Sequence, residues 1–310
     1  MTLHPICSLG GFLNIVMVRV LSLNPIRDLM QLIRKGKVKD IFRLESGNFL
    51  FHFSDRISAF DVPIPSTVPH KGQVLCRFSE FWFKSIGFPN HMIRVTNETD
   101  MEVRQLEMIP LECVVRGYLY GSMYERHRKL AQKNGGSSIP LKASRLAEPV
   151  FDPTTKSDVH DIQITRNDSI RLGLVSEDEY DYLERTSIAI YKVMSNIIES
   201  RGFIIADAKF EFGKDPTTGQ IYLADSIGPD EFRLWLKADY SPGNDQKSFY
   251  KQILRDWLIN KGFRTQLESS IKDGSLIETP ALPPEILNEL SRRYVWAYEE
   301  ITGMKLSDKE

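Results

Sequence analysis

Cysteine is scarce. The 310 residues hold three, Cys7, Cys76 and Cys113, far apart and odd in number. They can build neither a disulfide framework nor a CxxC metal knuckle, which suits a reducing compartment. Neither GxGxxG nor GxxxxGK[ST] occurs, so any nucleotide must be held without a Rossmann turn or a P-loop. An excess of one charge sign is missing as well: 40 Lys and Arg against 41 Asp and Glu leave a formal charge of -1. That balance argues against a nucleic-acid or acidic-lipid binder, while leaving room for a local basic site that takes a small anion. Long apolar runs are also few. The segment LGGFLNIVMVRVLSL, Leu9 to Leu23, is short for a membrane span and contains Asn14 and Arg19. It has no Lys or Arg ahead of it and no small-residue cleavage site. Residues 1–28 are therefore expected to be an N-terminal extension on a cytoplasmic protein without a membrane partner.

What is present is an ordinary soluble composition, 42% hydrophobic and 26% charged, on a chain long enough for two domains. From Gly36, the run GKVKDIFRLESGNFLFHFSDRIS shows two alternating apolar segments joined at ESGN, the pattern of a β-hairpin. The Pro-rich DVPIPSTVPH that follows cannot be regular helix. QVLCRFSEFWFKSIG has helical spacing, and MIRVTNETDMEVRQLEMIPLECVVRGYLYG returns to strand-like alternation. A helix is expected from GSMYERHRKLAQKNG. The polar stretch from Lys133 to about Arg166 has no clear period and is too long for an idle connector, which makes it a candidate substrate loop.

A long amphipathic helix should start at a capping box formed by Ser176 and Glu179 and stop at Gly202. The tail from Gln246 to Gly303 reads as helices, the last opening on Pro-Pro. Strands and helices in this order, with hairpins and no βαβ rhythm, predict an α+β fold with antiparallel sheets.

The chemistry concentrates in FIIADAKFEFG, Phe203 to Gly213. In a strand, Ile204, Ala206, Ala208, Phe210 and Phe212 would share one face, and Asp207, Lys209 and Glu211 the other. A turn at GKDPTTGQ leads to IYLADSIG, which brings Asp225 opposite or diagonal to one of those acids. Two carboxylates within reach of one point suit Mg²⁺, a hard ion that keeps phosphate oxygens and water as its other partners. Glu211 and Asp225 are the metal candidates, and Lys209 between them could neutralise a substrate carboxylate or phosphate. The plain alternative is a hairpin with one wet face, whose charges simply meet solvent. Lys37 and Lys39 in GKVKD could grip phosphates or merely protect an edge strand. Arg116, ahead of a Gly-flanked turn in VVRGYLYGS, could bind an anion or face water.

Taken in order, GKVKDIF, SDRISAFDV, MIPLECVVRGYLYGS, DAKFEFG, ADSIGPDEFRLW, KQILRDWL and YVWAYEEITG resemble the SAICAR synthetase (phosphoribosylaminoimidazole-succinocarboxamide synthase) family from about Leu29 to Gly303. The resemblance implies a two-lobed fold related to the ATP-grasp enzymes. Residues 29–108 would form an ATP-binding lobe, 109–240 a central nucleotide- and substrate-binding lobe, and 241–310 a helical region. It implies ligation of L-aspartate to carboxyaminoimidazole ribonucleotide (CAIR), with ATP converted to ADP and phosphate.

Residue by residue, it places Lys37 and Lys39 at the ATP phosphates and Met108 with Glu112 at the adenine and ribose. Glu211 and Asp225 would hold Mg²⁺, and Asp207 and Lys209 would face the imidazole amine and carboxylate as catalytic residues. Arg116, Ser122 and Arg233 would cradle the ribose 5'-phosphate, with Asp230 also on the substrate side. Arg56, Ser58 and Asp61, in SDRISAFD, would border the active site.

The chain departs from the family pattern at two places. The family often has Glu after the Asp at 225 and a Pro-Asp-Ser-Ser-Arg run; here Ser226 follows Asp225, and Glu231 and Phe232 precede Arg233. Only His160 and Asp161, in VHDIQI, remain of a commonly acidic loop motif. Three alternatives stand beside the ligase: a divergent paralog using another amine or carboxylate, a phosphotransferase that stops at phosphorylation, and a catalytically silent paralog that serves as a binding module.

Overall fold

The computed structural model describes residues 30–60, 62–133, 140–156, 162–250, 252–275 and 277–306. Leu9–Leu23, Asp61, His160 and Asp161 lie outside them. Among the described residues no helix is long and apolar enough to cross a membrane, and Cys76 and Cys113 are buried and free.

The first lobe opens with β1 (Gln31–Lys35), β2 (Lys39–Arg43) and β3 (Phe49–Phe53). The expected hairpin turns at Glu45 to Asn48, where Gly47 has φ 86°, a left-handed conformation that glycine adopts without strain. A two-stranded ribbon follows, β4 (Arg56–Ala59) and β5 (Val62–Thr67), so most of the Pro-rich stretch is strand and not helix. Then come α1 (Lys71–Ser85), β6 (Met92–Val95) and β7 (Asp100–Val103). The five-stranded antiparallel sheet runs β1-β2-β3-β7-β6. Helix α1 buries Val74, Leu75, Phe78 and Trp82 beneath it.

The second lobe begins with β8 (Glu107–Met108), β9 (Leu111–Tyr118), α2 (Gly121–Lys133), β10 (Arg145–Phe151) and β11 (Thr154–Thr155). It continues through α3 (Arg166–Arg171), α4 (Glu177–Ser200), β12 (Phe203–Lys214), β13 (Ile221–Ala224) and β14 (Phe232–Leu236). Seven strands form an antiparallel sheet around β12, which pairs with β8, β9, β13 and β14. Helix α4 carries the predicted capping box, with Ser176 accepting from the Glu179 amide and Glu179 from the Ser176 amide. The described part of the aperiodic stretch after Lys133 is not simply a loop: β10 and β11 both pair with β9. A register shift between Arg145 and Val150 breaks the alternation that would have revealed β10.

Three helices close the chain: α5 (Gln252–Asn260), α6 (Phe263–Asp273) and α7 (Pro284–Thr302). Helix α7 packs on α1, with the Phe78 and Tyr298 rings edge to face at 5.3 Å. The lobes are stitched at Leu223, whose amide donates to the Pro89 carbonyl (3.0 Å) and whose carbonyl accepts from the His91 amide (2.9 Å).

Strand β12 departs from simple alternation. Its pairing with β14 shifts register between Ile205 and Asp207. As a result Phe203 and Ile205 join Ala208, Phe210 and Phe212 in the main core, while Ile204 and Ala206 pack with Tyr118 and Trp235 in a second, smaller one. The single apolar face expected from the sequence is thus split, because one extra residue at a bulge moves every following side chain to the opposite side.

Candidate active site

Beyond the bulge, Asp207, Lys209 and Glu211 do share a face, but it is not a uniformly wet one. Glu211 lies opposite Ala224 in the β12–β13 register, so Asp225 is the next residue along the partner strand. Asp225 has φ 59°, which ends the strand and turns its carboxylate back. Lys39 forms an ion pair with Asp225 and donates to Ser226 Oγ at 3.0 Å. Lys156 pairs with Glu211. Burial, and then the neighbouring Asp225, raises the pKa of Glu211. Burial also opposes ionisation of Asp225, yet Lys39 outweighs it and holds that carboxyl below the usual range. Behind the pair, the His91 Nε2 lies 2.9 Å from the Asp225 carbonyl, and burial pushes its pKa down to about 4.

These groups line a cavity of about 290 Å³ between the two sheets. Lys37, Lys39 and Met108 lie on its wall with Glu211, Asp225 and Glu231. Gly36 makes the turn possible: a Cβ there would come within 2.6 Å of the Lys39 carbonyl oxygen. Arg56 braces the same turn from behind, donating to Asp40 (2.6 Å) and to the Gly36 carbonyl (3.0 Å). Glu231 is half-buried, and its pKa is raised to about 8 by desolvation and by the neighbouring Asp230.

A second cluster forms at the bulge. Asp207 is paired with Arg116 of β9 on one side and with Arg233 of β14 on the other. One carboxylate oxygen, Oδ2, accepts from Arg233 Nη1 at 2.9 Å and lies 3.4 Å from Arg116 Nη1. Arg116 also donates to Ser122 Oγ at 3.0 Å and pairs with Asp152, which Arg126 grips as well. The Arg233 guanidinium lies over the Tyr120 ring, 5.0 Å from its centre. Gly121, with φ 59°, lets it in, because a Cβ there would be 2.9 Å from Arg233 Nη1. Two guanidinium groups and a hydroxyl, part-exposed at Arg233, make a site suited to a dianion.

The remaining sequence candidates separate. Lys209 donates to Glu112 at 3.0 Å, and Thr154 does so at 3.3 Å. Asp230 is largely buried, bound to the Lys71 ammonium (2.9 Å) and the Tyr294 hydroxyl (3.2 Å). Ser58 lines a different depression, with Gln252, Arg255 and Arg264. Sequence reasoning missed Lys156, Asp152, Arg126, His91 and Glu231. Lys156 and Asp152 come from the stretch without period, and His91 is a single histidine in a turn, so no local pattern marks them.

Comparison with known proteins identifies the family. The family profile for SAICAR synthetase matches residues 32–270. The phosphoribosylaminoimidazole-succinocarboxamide synthase of Nitrosopumilus maritimus is 47% identical over 278 residues, covering 89% of this chain and 100% of that one. That of Corynebacterium efficiens is 39% identical over 285 residues, covering 88% and 91%. Among solved structures, the SAICAR synthase of Saccharomyces cerevisiae complexed with SAICAR superposes with a TM-score of 0.77 at 31% identity, covering 89% of this chain and 96% of that one. A type-2 SAICAR synthetase in complex with ADP superposes with a TM-score of 0.64 at 26% identity, covering 88% and 98%. With the profile spanning both sheets and identity held over nearly nine-tenths of its length, the chain belongs to the SAICAR synthetase family.

Proposed function

We infer that the protein joins L-aspartate to CAIR, consuming ATP and releasing ADP and phosphate. The observation that carries this reading is one strand, β12, presenting Glu211 to the inter-sheet cavity and Asp207 to the arginine cluster, with Lys209 between them. The ADP and SAICAR complexes of the two relatives support a nucleotide and an imidazole ribonucleotide as the occupants. ATP is assigned to the cavity, its triphosphate toward Lys37 and Lys39 and its base toward Met108 and Glu112. The ribose 5'-phosphate is assigned to Arg116, Ser122 and Arg233. On this reading residues 29–108 are the ATP-binding lobe and 109–240 the central lobe.

The chemistry needs two steps. An amine cannot displace oxide from a carboxylate, so the CAIR carboxylate oxygen first attacks the γ-phosphorus of ATP. The bond to the β-phosphate oxygen breaks and ADP leaves. The aspartate amine then attacks the acyl carbon, the carbon–oxygen bond to phosphate breaks, and the nitrogen gives up its proton. Lys37 and Lys39 offset the charge of the transferring group, while Lys209 and Asp207 hold the imidazole carboxylate and amine.

Glu211 and Asp225 fit Mg²⁺: both are hard oxygen donors, and each already carries a lysine ammonium where a cation's charge belongs. Among the described residues no group of three or more His, Cys, Asp or Glu could hold a metal, so phosphate oxygens and water would have to complete the shell of such an ion. Held by Glu211 and Asp225, Mg²⁺ would supply positive charge to offset that of the transferring phosphoryl group.

The test is a mass-spectrometric readout of products with ATP, Mg²⁺ and CAIR offered alongside a panel of amino acids. Amide is expected with aspartate, and ADP only when all components are present. Absence of any amide overturns the ligase. A stable phosphorylated product without an amine would instead identify a phosphotransferase.

A further inference from the structure

The segment between β13 and β14 joins the two clusters, since Asp225 stands at its start and Arg233 just beyond its end. Between them Glu231 is bonded on every side. Its carbonyl accepts from the Lys209 amide of β12 (2.8 Å), and its amide donates to the Gly228 carbonyl (3.0 Å). Its side-chain Oε2 accepts from the Gly228 amide (2.9 Å), and Oε1 lies 3.4 Å from Ser226 Oγ. The same Ser226 oxygen accepts from Lys39 Nζ at 3.0 Å. A continuous path thus runs from Glu231 through Ser226 to the lysine that holds Asp225.

A turn of this kind does not by itself require a carboxyl, and withdrawing one even partly from water is unfavourable unless it is hydrogen-bonded. There is little slack in its surroundings: a Cβ at Gly228 would lie 3.1 Å from Leu75 Cδ2 and 3.3 Å from Glu231 Oε2. Glu231 also forms part of the cavity wall. Ser226 and Glu231 are both positions at which this chain departs from the family pattern.

We propose that Glu231 is a positioning residue for the triphosphate end of the cavity, acting through Ser226 to hold Lys39 in place. The inference rests on the assignment of ATP to this cavity. Its effect should fall on ATP and not on the ribose-phosphate cluster, which Arg116 and Ser122 support from β9 and α2.

The experiment is calorimetric titration of the whole protein with Mg²⁺-ATP and, separately, with SAICAR, for wild type, Glu231→Ala, Glu231→Gln and Ser226→Ala. Loss of one hydrogen bond to a charged group predicts that Glu231→Ala and Ser226→Ala each weaken ATP binding about ten-fold while SAICAR binding changes less than about two-fold. Glu231→Gln keeps an acceptor for Gly228 and a polar group toward Ser226, and should bind ATP within about three-fold of wild type. ATP affinity unchanged in both Glu231→Ala and Ser226→Ala overturns the proposal. So does an equal loss of both ligands, which would mark general collapse of the loop. If Glu231→Ala does not fold, Ser226→Ala decides, because it removes a single hydroxyl. Binding is measured without aspartate, so amide formation by wild type reports separately on the ligase reading.

Discussion

At the scale of single residues, the two clusters owe their character to charges held out of water by partners. Asp207 accepts from Arg233 and faces Arg116, so both guanidinium groups are fixed before any anion arrives. Arg233→Ala should weaken binding of the imidazole ribonucleotide by about 2–5 kcal/mol, through a phosphate left without its partner. Unchanged affinity in a direct titration would place the phosphate elsewhere. His91 offers a test of pH dependence. Its folded pKa, about 4, lies below the ordinary 6.5. The stability it supports is therefore complete above pH 6.5 and is lost as the pH falls toward 4, when the unfolded chain takes a proton that the folded chain refuses. That loss reaches about 3 kcal/mol at the acid end. His91→Gln, which can still donate to the Asp225 carbonyl, should remove this part of the acid sensitivity. Urea unfolding at pH 7.5 and 5 gives the comparison, and equal slopes in both proteins would exclude His91 as the cause.

At the scale of elements, legibility followed periodicity. Helix α4 was readable because its capping box and its apolar stripe lie within the segment itself. The β2–β3 hairpin was readable because Gly47 marks the turn between two alternating runs. Strand β12 was readable as a strand, and its acid-base-acid face beyond Ala206 was correctly picked out. Its split apolar face was not, because the bulge at Ile205–Asp207 answers to pairing with β14, about 25 residues later, and a bulge changes register without changing composition. β10 escaped for the same reason, its register with β9 slipping between Arg145 and Val150. Helices α3 and α6 were not separated from their surroundings. The first is only six residues long, and the second follows a left-handed Gly262 that serves as both a stop and a start.

At the scale of the whole molecule, the C-terminal helices are tied to the rest of the protein through a buried polar junction. Lys71, at the start of α1, is fully buried; it donates to Asp230, which also accepts from Tyr294 of α7. One carboxylate therefore pins the segment carrying Glu231 and Arg233 to two helices from distant parts of the chain. Lys71→Met should destabilise the protein by about 3–5 kcal/mol, because it leaves Asp230 buried without its cation. Adding Asp230→Asn should recover part of that loss by removing the stranded charge. Denaturant unfolding of the two variants decides the matter: a loss below about 1 kcal/mol for the single change would show that water reaches Asp230.

The sequence alone determined the α+β class, most helices and hairpins, the family, and the residue types that the chemistry requires, because each of these is written in local period, turn chemistry or an ordered set of motifs. Tertiary structure decided which of those residues meet. It set Lys156 on Glu211, Lys39 on Asp225 and Ser226, and Arg116 and Arg233 on either side of Asp207. It also took Asp230 and Ser58 away from those groups. The physical reason is that such pairings join residues up to 187 positions apart, and they depend on strand register, a bulge and lobe packing, none of which a stretch of ten or twenty residues can specify.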